Sequence, residues 1–342
     1  MTGAESGPGG GSDGLANGSD EKQESGGESL LTVIIAFAAN LVIAIAKSIA
    51  ATITGSASML AEAAHSWADT GNEVFLLIAE RRSGQTRDAR HPMGYGKEAY
   101  VWSLFAAFGL FTAGSVVSIS HGINELRNPE PATDYAIAYV VLAISFVLEG
   151  ISFSQAFRQT RRKAGWLRRG HLSYVLNTSN PTLRAVFFED AAALIGLLIA
   201  FGGIALHQVT GSAIPDAIGS ILVGVLLGVL AVVLINRNRR FLVGQQVQPD
   251  IRNTALVALL AVPDIERITY LHLEFVGPER LYLVAAVDLI GDLREHDVAT
   301  RLRRIERELE ERPSIVEAVL TLSTRDEPSL RPDPAYPPSR LL

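Results

Sequence analysis

Long apolar runs limit this chain more than any other feature. A helix of about 20 apolar residues matches the roughly 30 Å hydrocarbon core of a bilayer, where each backbone polar group must be bonded within its own segment. Six stretches meet that requirement: residues 30–54, interrupted only by Lys47; 56–79; 99–123, with no formal charge; 135–157, interrupted by Glu149; 182–209; and 214–235. The second and fifth are the least apolar. The sequence therefore predicts an α-helical polytopic membrane protein with six transmembrane helices, in keeping with 48% hydrophobic against 19% charged side chains.

Lys and Arg in the short loops set the expected orientation. Residues 80–98 hold Arg81, Arg82, Arg87, Arg90 and Lys97, and residues 158–180 hold Arg158, Arg161, Arg162, Lys163, Arg168 and Arg169. The alternate loops are nearly bare: 55–56 and 207–213 hold no Lys or Arg, and 124–133 holds Arg127 alone. With Arg237, Arg239 and Arg240 after the last run, both termini are expected in the cytoplasm of a multi-pass cell-membrane protein. The basic loops set topology and meet anionic lipid; no module for reading nucleic acid accompanies them.

The ends differ from the middle. Residues 1–28 carry six acids against Lys22 alone, nine glycines and no aromatic residue, which predicts a disordered acidic tail. It lacks the basic start and apolar centre of a secretory signal, and its acids exclude a mitochondrial leader. Residues 29–240 form the membrane domain and 241–324 a small α+β domain hanging into the cytoplasm. In the latter, helical spacing over 251–260 precedes two period-2 stretches, 265–275 and 280–289, joined by Val276-Gly277-Pro278-Glu279 as a hairpin. Val298, Leu302, Ile305 and Leu309 then recur at helical spacing, and 315–322 reads as a last strand. A Pro-rich disordered end, 325–342, follows. The sequence has no Cys, so thiolate metal sites, iron–sulfur clusters and Cys nucleophiles are excluded.

An ionisable side chain inside a membrane span costs on the order of 3 kcal/mol or more, so each one is a functional hypothesis. In the second run Glu62, His65, Asp69, Asn72 and Glu73 step by three, four, three and one residues, a stripe along one helical face. At about 1.5 Å of rise per residue it covers roughly 16 Å, over half the hydrocarbon thickness. His65 and Asp69, one turn apart near mid-span, can offer an imidazole nitrogen and a carboxylate oxygen to one divalent ion. A tetrahedral ion wants four ligands, and the fifth run offers the other acidic cluster, Glu189 and Asp190. Glu189 is favoured, because Ala185, Ala192, Ala193 and Gly196 share its face and let the helix approach closely; Asp190 is the alternative. Glu62, Asn72, Glu73 and Glu149 are secondary candidates along the path or in a proton relay. Two anions in a poorly solvated pocket recruit protons when the metal leaves, so one site can exchange metal for proton.

Ala61 to Asn72 reads Ala-Glu-Ala-Ala-His-Ser-Trp-Ala-Asp-Thr-Gly-Asn, and the next loop carries His91-Pro-Met-Gly-Tyr-Gly-Lys. Together they resemble the cation diffusion facilitator family over about residues 30–322. The resemblance implies six spans, a ferredoxin-like cytoplasmic domain, homodimerisation, and efflux of Zn²⁺ or a neighbouring transition metal in exchange for protons. It places the metal ligands of the second span on His65 and Asp69. Many members have a His or Asp followed four residues later by Asp in the fifth span; here those positions are Glu189 and Ala193, as in the branch similar to zinc transporter nine. The cytoplasmic His ligands of bacterial members fall on Thr269 and Ala285, so His272 and His296 alone predict no zinc cluster there.

Structural readings compete at each residue. His65 and Asp69 could be a hydrogen-bonded pair within the bundle, and Glu189 and Asp190 a helix end shortly after Pro181. Lys47 could snorkel or pair with an acid, and Glu149 could relay protons or pair with another helix. Asp216, opening the sixth run, reads as a helix cap or dipole partner, and His91 as a turn residue. The leading function is a secondary transporter with no resident cofactor, whose partners are a divalent cation, protons and the bilayer. The same transporter with Mn²⁺, Fe²⁺ or Co²⁺ as main substrate is one alternative, since a Glu ligand hardens the site; a membrane metal sensor that moves nothing is another. An intramembrane metalloenzyme is disfavoured, because His-Glu-x-x-His does not occur.

Overall fold

Apolar runs this long become helices because only a helix bonds all its own backbone groups. The computed structural model describes residues 37–129, 132–167 and 169–336; the acidic head expected over 1–28 lies outside them. Among the described residues, five helices are long and apolar enough to cross a membrane: α1 (Phe37–Thr54), the composite helix Glu98–Arg127, α5 (Tyr135–Trp166), α7 (Pro181–Thr210) and α8 (Ile214–Leu242). The composite helix is α3 (Glu98–Gly109), a π-helical stretch (Leu110–Val116) and α4 (Val117–Arg127). The second expected span, α2 (Ala57–Ser83), has 27 residues and so reaches about 40 Å. It does not meet the same apolar standard, because Glu62, Asp69 and Glu73 interrupt its first two-thirds.

The polar helix is placed where apolar neighbours cover it. Ala61 and Ala68 of α2 join Ala107, Leu110, Ala192, Val223 and Leu227 in one apolar cluster. Met59 of α2 joins Ala50 and Ala51 of α1, Leu142 of α5, and Leu197 and Ile204 of α7 in another. Thus α2 stands between α1, α5 and α7 on one side and the composite helix and α8 on the other. Small residues bring α8 against the composite helix: a Cβ on Gly224 would lie 2.9 Å from the Ser115 carbonyl, and one on Gly122 would lie 2.8 Å from that of Ala217.

The α1–α2 turn is two residues long. Gly55 takes the left-handed conformation (φ 63°) there, and Ser56 caps α2 by accepting from the Met59 N–H at 3.2 Å. Asp216 also caps α2, across the bundle, accepting from the backbone N–H groups of Ala57 (2.8 Å) and Ser58 (3.2 Å). The cap expected at Asp216 therefore serves α2 as well as standing in the first turn of its own helix.

A short helix, α6 (His171–Asn177), links α5 to α7, and α8 leads into α9 (Pro249–Leu260). Then come β1 (Ile265–Gly277), β2 (Arg280–Leu289), α10 (Glu295–Glu310) and β3 (Ile315–Leu322), the order the sequence predicts. β1 and β2 are antiparallel and β2 and β3 parallel, giving a three-stranded sheet in the order β1-β2-β3. Partners Leu273↔Leu283 and Leu283↔Ala318 place one apolar face of the sheet with Ile251, Leu256 and Leu259 of α9 and Ile305 and Leu309 of α10 in a common core. The hairpin has Pro278 and then left-handed Glu279 (φ 57°) at its centre, the requirement of a type II turn met by a residue with a Cβ.

The Pro-rich end departs from expectation. Leu330 N–H bonds the Ile268 carbonyl at 2.7 Å, Arg267 reaches the carbonyls of Thr324 and Glu327, and Asn253 bonds the backbone of Asp333 and Tyr336. Residues 325–336 thus lie along β1 and α9, tied by backbone groups that the side-chain pattern does not reveal, and 337–342 lie outside the described residues.

Candidate metal site and ion path

The stripe on α2 faces inward along most of its length. Glu62 and His65 are fully buried, Asn72 is nearly so, and the Asp69 side chain is 17% exposed. His65 Nδ1 stands 3.4 Å from Asp69 Oδ1, as their one-turn spacing dictates. Neither ring nitrogen of His65 has a hydrogen-bond partner, nor has Asp69 Oδ1, although all are buried. Buried polar atoms are almost always bonded, which makes this pair the centre of a candidate site.

The α7 acids diverge. Glu189 is buried and accepts a short hydrogen bond from Asn72 Nδ2, which ties α7 to the stripe. Asp190, about 100° further round its helix, turns to α5 and accepts from Ser152 Oγ at 2.8 Å. Glu189, Glu149, Asp190 and Lys47 all act electrostatically on Asp69, so four acids and one base share this interior. Among the described residues, however, no three His, Asp or Glu side chains are grouped to hold one metal ion. The Glu189 carboxylate is instead bonded to the Asn72 amide of its own protein.

The competing readings for the outer residues also resolve into contacts. Lys47 does not snorkel: its Nζ lies 3.0 Å from Glu62 Oε2 and 3.9 Å from Glu149 Oε1. Glu62 therefore reaches no headgroup. Glu73, at the other end of the stripe, accepts from Asn40 Nδ2 of α1 at 2.5 Å. Asn40 and Ser152 are path contacts that the sequence reading passed over; Asn40 lies seven residues before Lys47, on the same face of α1, and that spacing marks it.

The loop motif after α2 has a different task. His91 is half exposed and pairs with Asp88, which also accepts from Tyr95 Oη at 2.8 Å and the His91 N–H at 2.7 Å. The Tyr95 hydroxyl, followed by the backbone N–H of His91, holds the Asp88 carboxyl below its ordinary pKa. Lys97 bonds Glu274 of β1 at 2.9 Å, and Gly96 meets Gly277 backbone to backbone. The motif is thus a docking turn between the membrane helices and the sheet. His272 is partly buried on β1 and His296 exposed on α10.

A buried acid stripe on one helix, met by an acid from another, within a bundle of long apolar helices that carries a small α+β module, defines a multi-pass helical membrane protein. Residues 33–243 match the model of the cation efflux transmembrane domain, and the chain belongs to that family, the cation diffusion facilitators. It is 34% identical over 259 residues to the proton-coupled zinc antiporter SLC30A9, mitochondrial, of Xenopus laevis, covering 76% of this chain and 46% of that protein. It is 34% identical over 248 residues to metal tolerance protein C4 of Arabidopsis thaliana, covering 72% and 54%. Magnetosome protein MamB of Paramagnetospirillum magneticum is 21% identical over 250 residues, covering 71% and 77%. The chain spans about half the length of the first two relatives. The branch similar to zinc transporter nine is the one to which the sequence pointed.

Proposed function

We propose that this protein is a secondary transporter that exports a divalent transition-metal cation, Zn²⁺ first, in exchange for protons. In this reading α2 is a sixth span, both termini are cytoplasmic, and two chains form a homodimer. The buried imidazole and carboxylate of His65 and Asp69, 3.4 Å apart on the inward face of α2, carry the reading, because ionisable groups inside a membrane bundle cost too much to be kept without a role. Glu189 completes the set when it exchanges Asn72 for the metal, so loading and release each require a side chain to switch partners. Asp69 and Glu189 together balance one dication. When it departs, protons replace it, and the exchange needs no second machine. The names of the relatives, a proton-coupled zinc antiporter and a metal tolerance protein, support the same substrate class.

Reconstitution into liposomes tests this. A pH gradient should drive uptake of Zn²⁺ with opposite proton movement, and Asp69→Ala and Glu189→Ala should each lower the rate by at least about 100-fold, the loss of a ligand's charge at a buried site. Metal movement without proton flux would remove the antiport, and full activity in both variants would remove the site.

A further inference from the structure

Two acids of the path are not used by the transport site. Glu62 lies one turn before His65, and Glu149 comes to it from α5. The Lys47 ammonium sits between them, 3.0 Å from Glu62 Oε2 and 3.9 Å from Glu149 Oε1. Lys47 and Glu62 have no exposure at all, and the Glu149 side chain has 12%. We propose that Glu62 and Glu149 form a second cation position on the path, filled here by the protein's own ammonium group, and that removing Lys47 lets a hard divalent cation bind in its place.

The geometry supports a site over a simple structural ion pair. Glu62 presents two oxygens, and only Oε2 is bonded; Oε1 is buried without a partner. That free oxygen stands against bare α7 backbone, since a Cβ on Gly196 would lie 2.5 Å from it. A buried carboxylate oxygen left without a bonded partner is uncommon, and it leaves this acid with unused ligand capacity. Charge points the same way. Two carboxylates around one ammonium leave one negative charge over, whereas two carboxylates around a dication leave none. Both ligands are oxygens with no imidazole, a donor set for Mn²⁺ or Mg²⁺ more than for softer ions. Lys47 also acts electrostatically on His65 and Asp69, so its tethered charge opposes a second dication entering beside the first. The inference rests on the transport reading only in calling these acids part of a path; the site itself is a matter of binding.

Manganese binding by the purified full-length protein, counted by electron paramagnetic resonance, decides it. Lys47→Met should bind one more Mn²⁺ per chain than the parent, and Lys47→Arg the parental number. The added ion should persist in Lys47→Met/Asp69→Ala and vanish in Lys47→Met/Glu62→Gln. A monodisperse Lys47→Met that binds no additional Mn²⁺ overturns the proposal. If Lys47→Met does not purify as a folded protein, Lys47→Ala prepared with Mn²⁺ or with n-propylammonium, which restores the missing chain and charge, should recover it. Recovery with neither, or equal recovery with n-propanol, overturns the proposal as well. Failure of Asp69→Ala to lower metal binding in the parent background would instead sink the transport site and leave the Lys47 comparison standing.

Discussion

Substituting Gly96 by Ala should open the joint between the membrane helices and the sheet. An added Cβ would lie 2.4 Å from the Val276 carbonyl oxygen and 2.7 Å from Gly277 Cα, both backbone atoms that cannot rotate aside. Ordinary contact begins near 3.4 Å, so the loop and hairpin must part by about 1 Å. Overpacking of this kind costs about 1–3 kcal/mol, and the half-exposed Lys97–Glu274 pair beside it adds at most about 1 kcal/mol when stretched. Since 1.4 kcal/mol is a factor of ten, local opening should become roughly 10- to 100-fold more frequent. The rest of the interface holds: Arg169 stays paired with Asp250, Lys163 with Glu279, and Tyr100 stacked on Phe241 at 5.0 Å. Hydrogen exchange followed by mass spectrometry on the full chain reads this directly. Peptides covering 90–97 and 274–280 should exchange faster by that factor, while peptides from α8 should not change. Gly71→Ala, where a Cβ would meet nothing within 4 Å, is the control. Parental exchange rates in Gly96→Ala would refute the claim that this glycine contact holds the joint.

Other substitutions separate the roles assigned above. Asp190→Ala should keep most of the transport that Glu189→Ala loses, because Asp190 faces Ser152 and not the stripe; equal losses in a flux assay would reverse that assignment. Asp216→Ala should lower stability by about 1–3 kcal/mol, since two buried N–H groups of α2 lose their acceptor, and unchanged thermal unfolding would contradict it. Burial, with the nearby Arg161 second, lowers the pKa of His171, which meets Thr160 Oγ1 at 2.7 Å. The unfolded chain therefore takes up the proton first. His171's contribution to holding α6 is fully present above its ordinary value of 6.5 and is lost as pH falls through the lower folded value. Hydrogen-exchange protection in 171–177, taken relative to the intrinsic rate at each pH, should fall on acidification in the parent and be flat over that range in His171→Asn.

Periodicity revealed the elements well because burial and periodicity are the same constraint seen twice. The stripe of α2 points inward because three acids and an imidazole cannot face lipid, and the order of helix and strand after Gln248 follows from alternation of apolar residues. Partner choice was not legible in the same way. Nothing in the local pattern of α7 says that Asn72 takes Glu189 or that Ser152 takes Asp190, since those contacts depend on how three helices rotate against one another. The ordered course of 325–336 escaped for a related reason: it is held mainly by main-chain groups, which every residue carries alike. The glycine motif of the loop was visible, but its meaning, a backbone contact with a hairpin 181 residues away, belongs to the assembled protein.

The two-residue turn at Gly55 has a consequence for how such a protein is made. Offered to a bilayer alone, α2 would bring Glu62, Asp69 and Glu73 without counter-charges and would be rejected. Behind that turn, α1 supplies Lys47 for Glu62, Asn40 for Glu73 and Ser48 for the Trp67 indole. On the six-span reading proposed above, the smallest unit able to leave water during synthesis is therefore the pair of helices, entering together as a hairpin already joined by its own side chains.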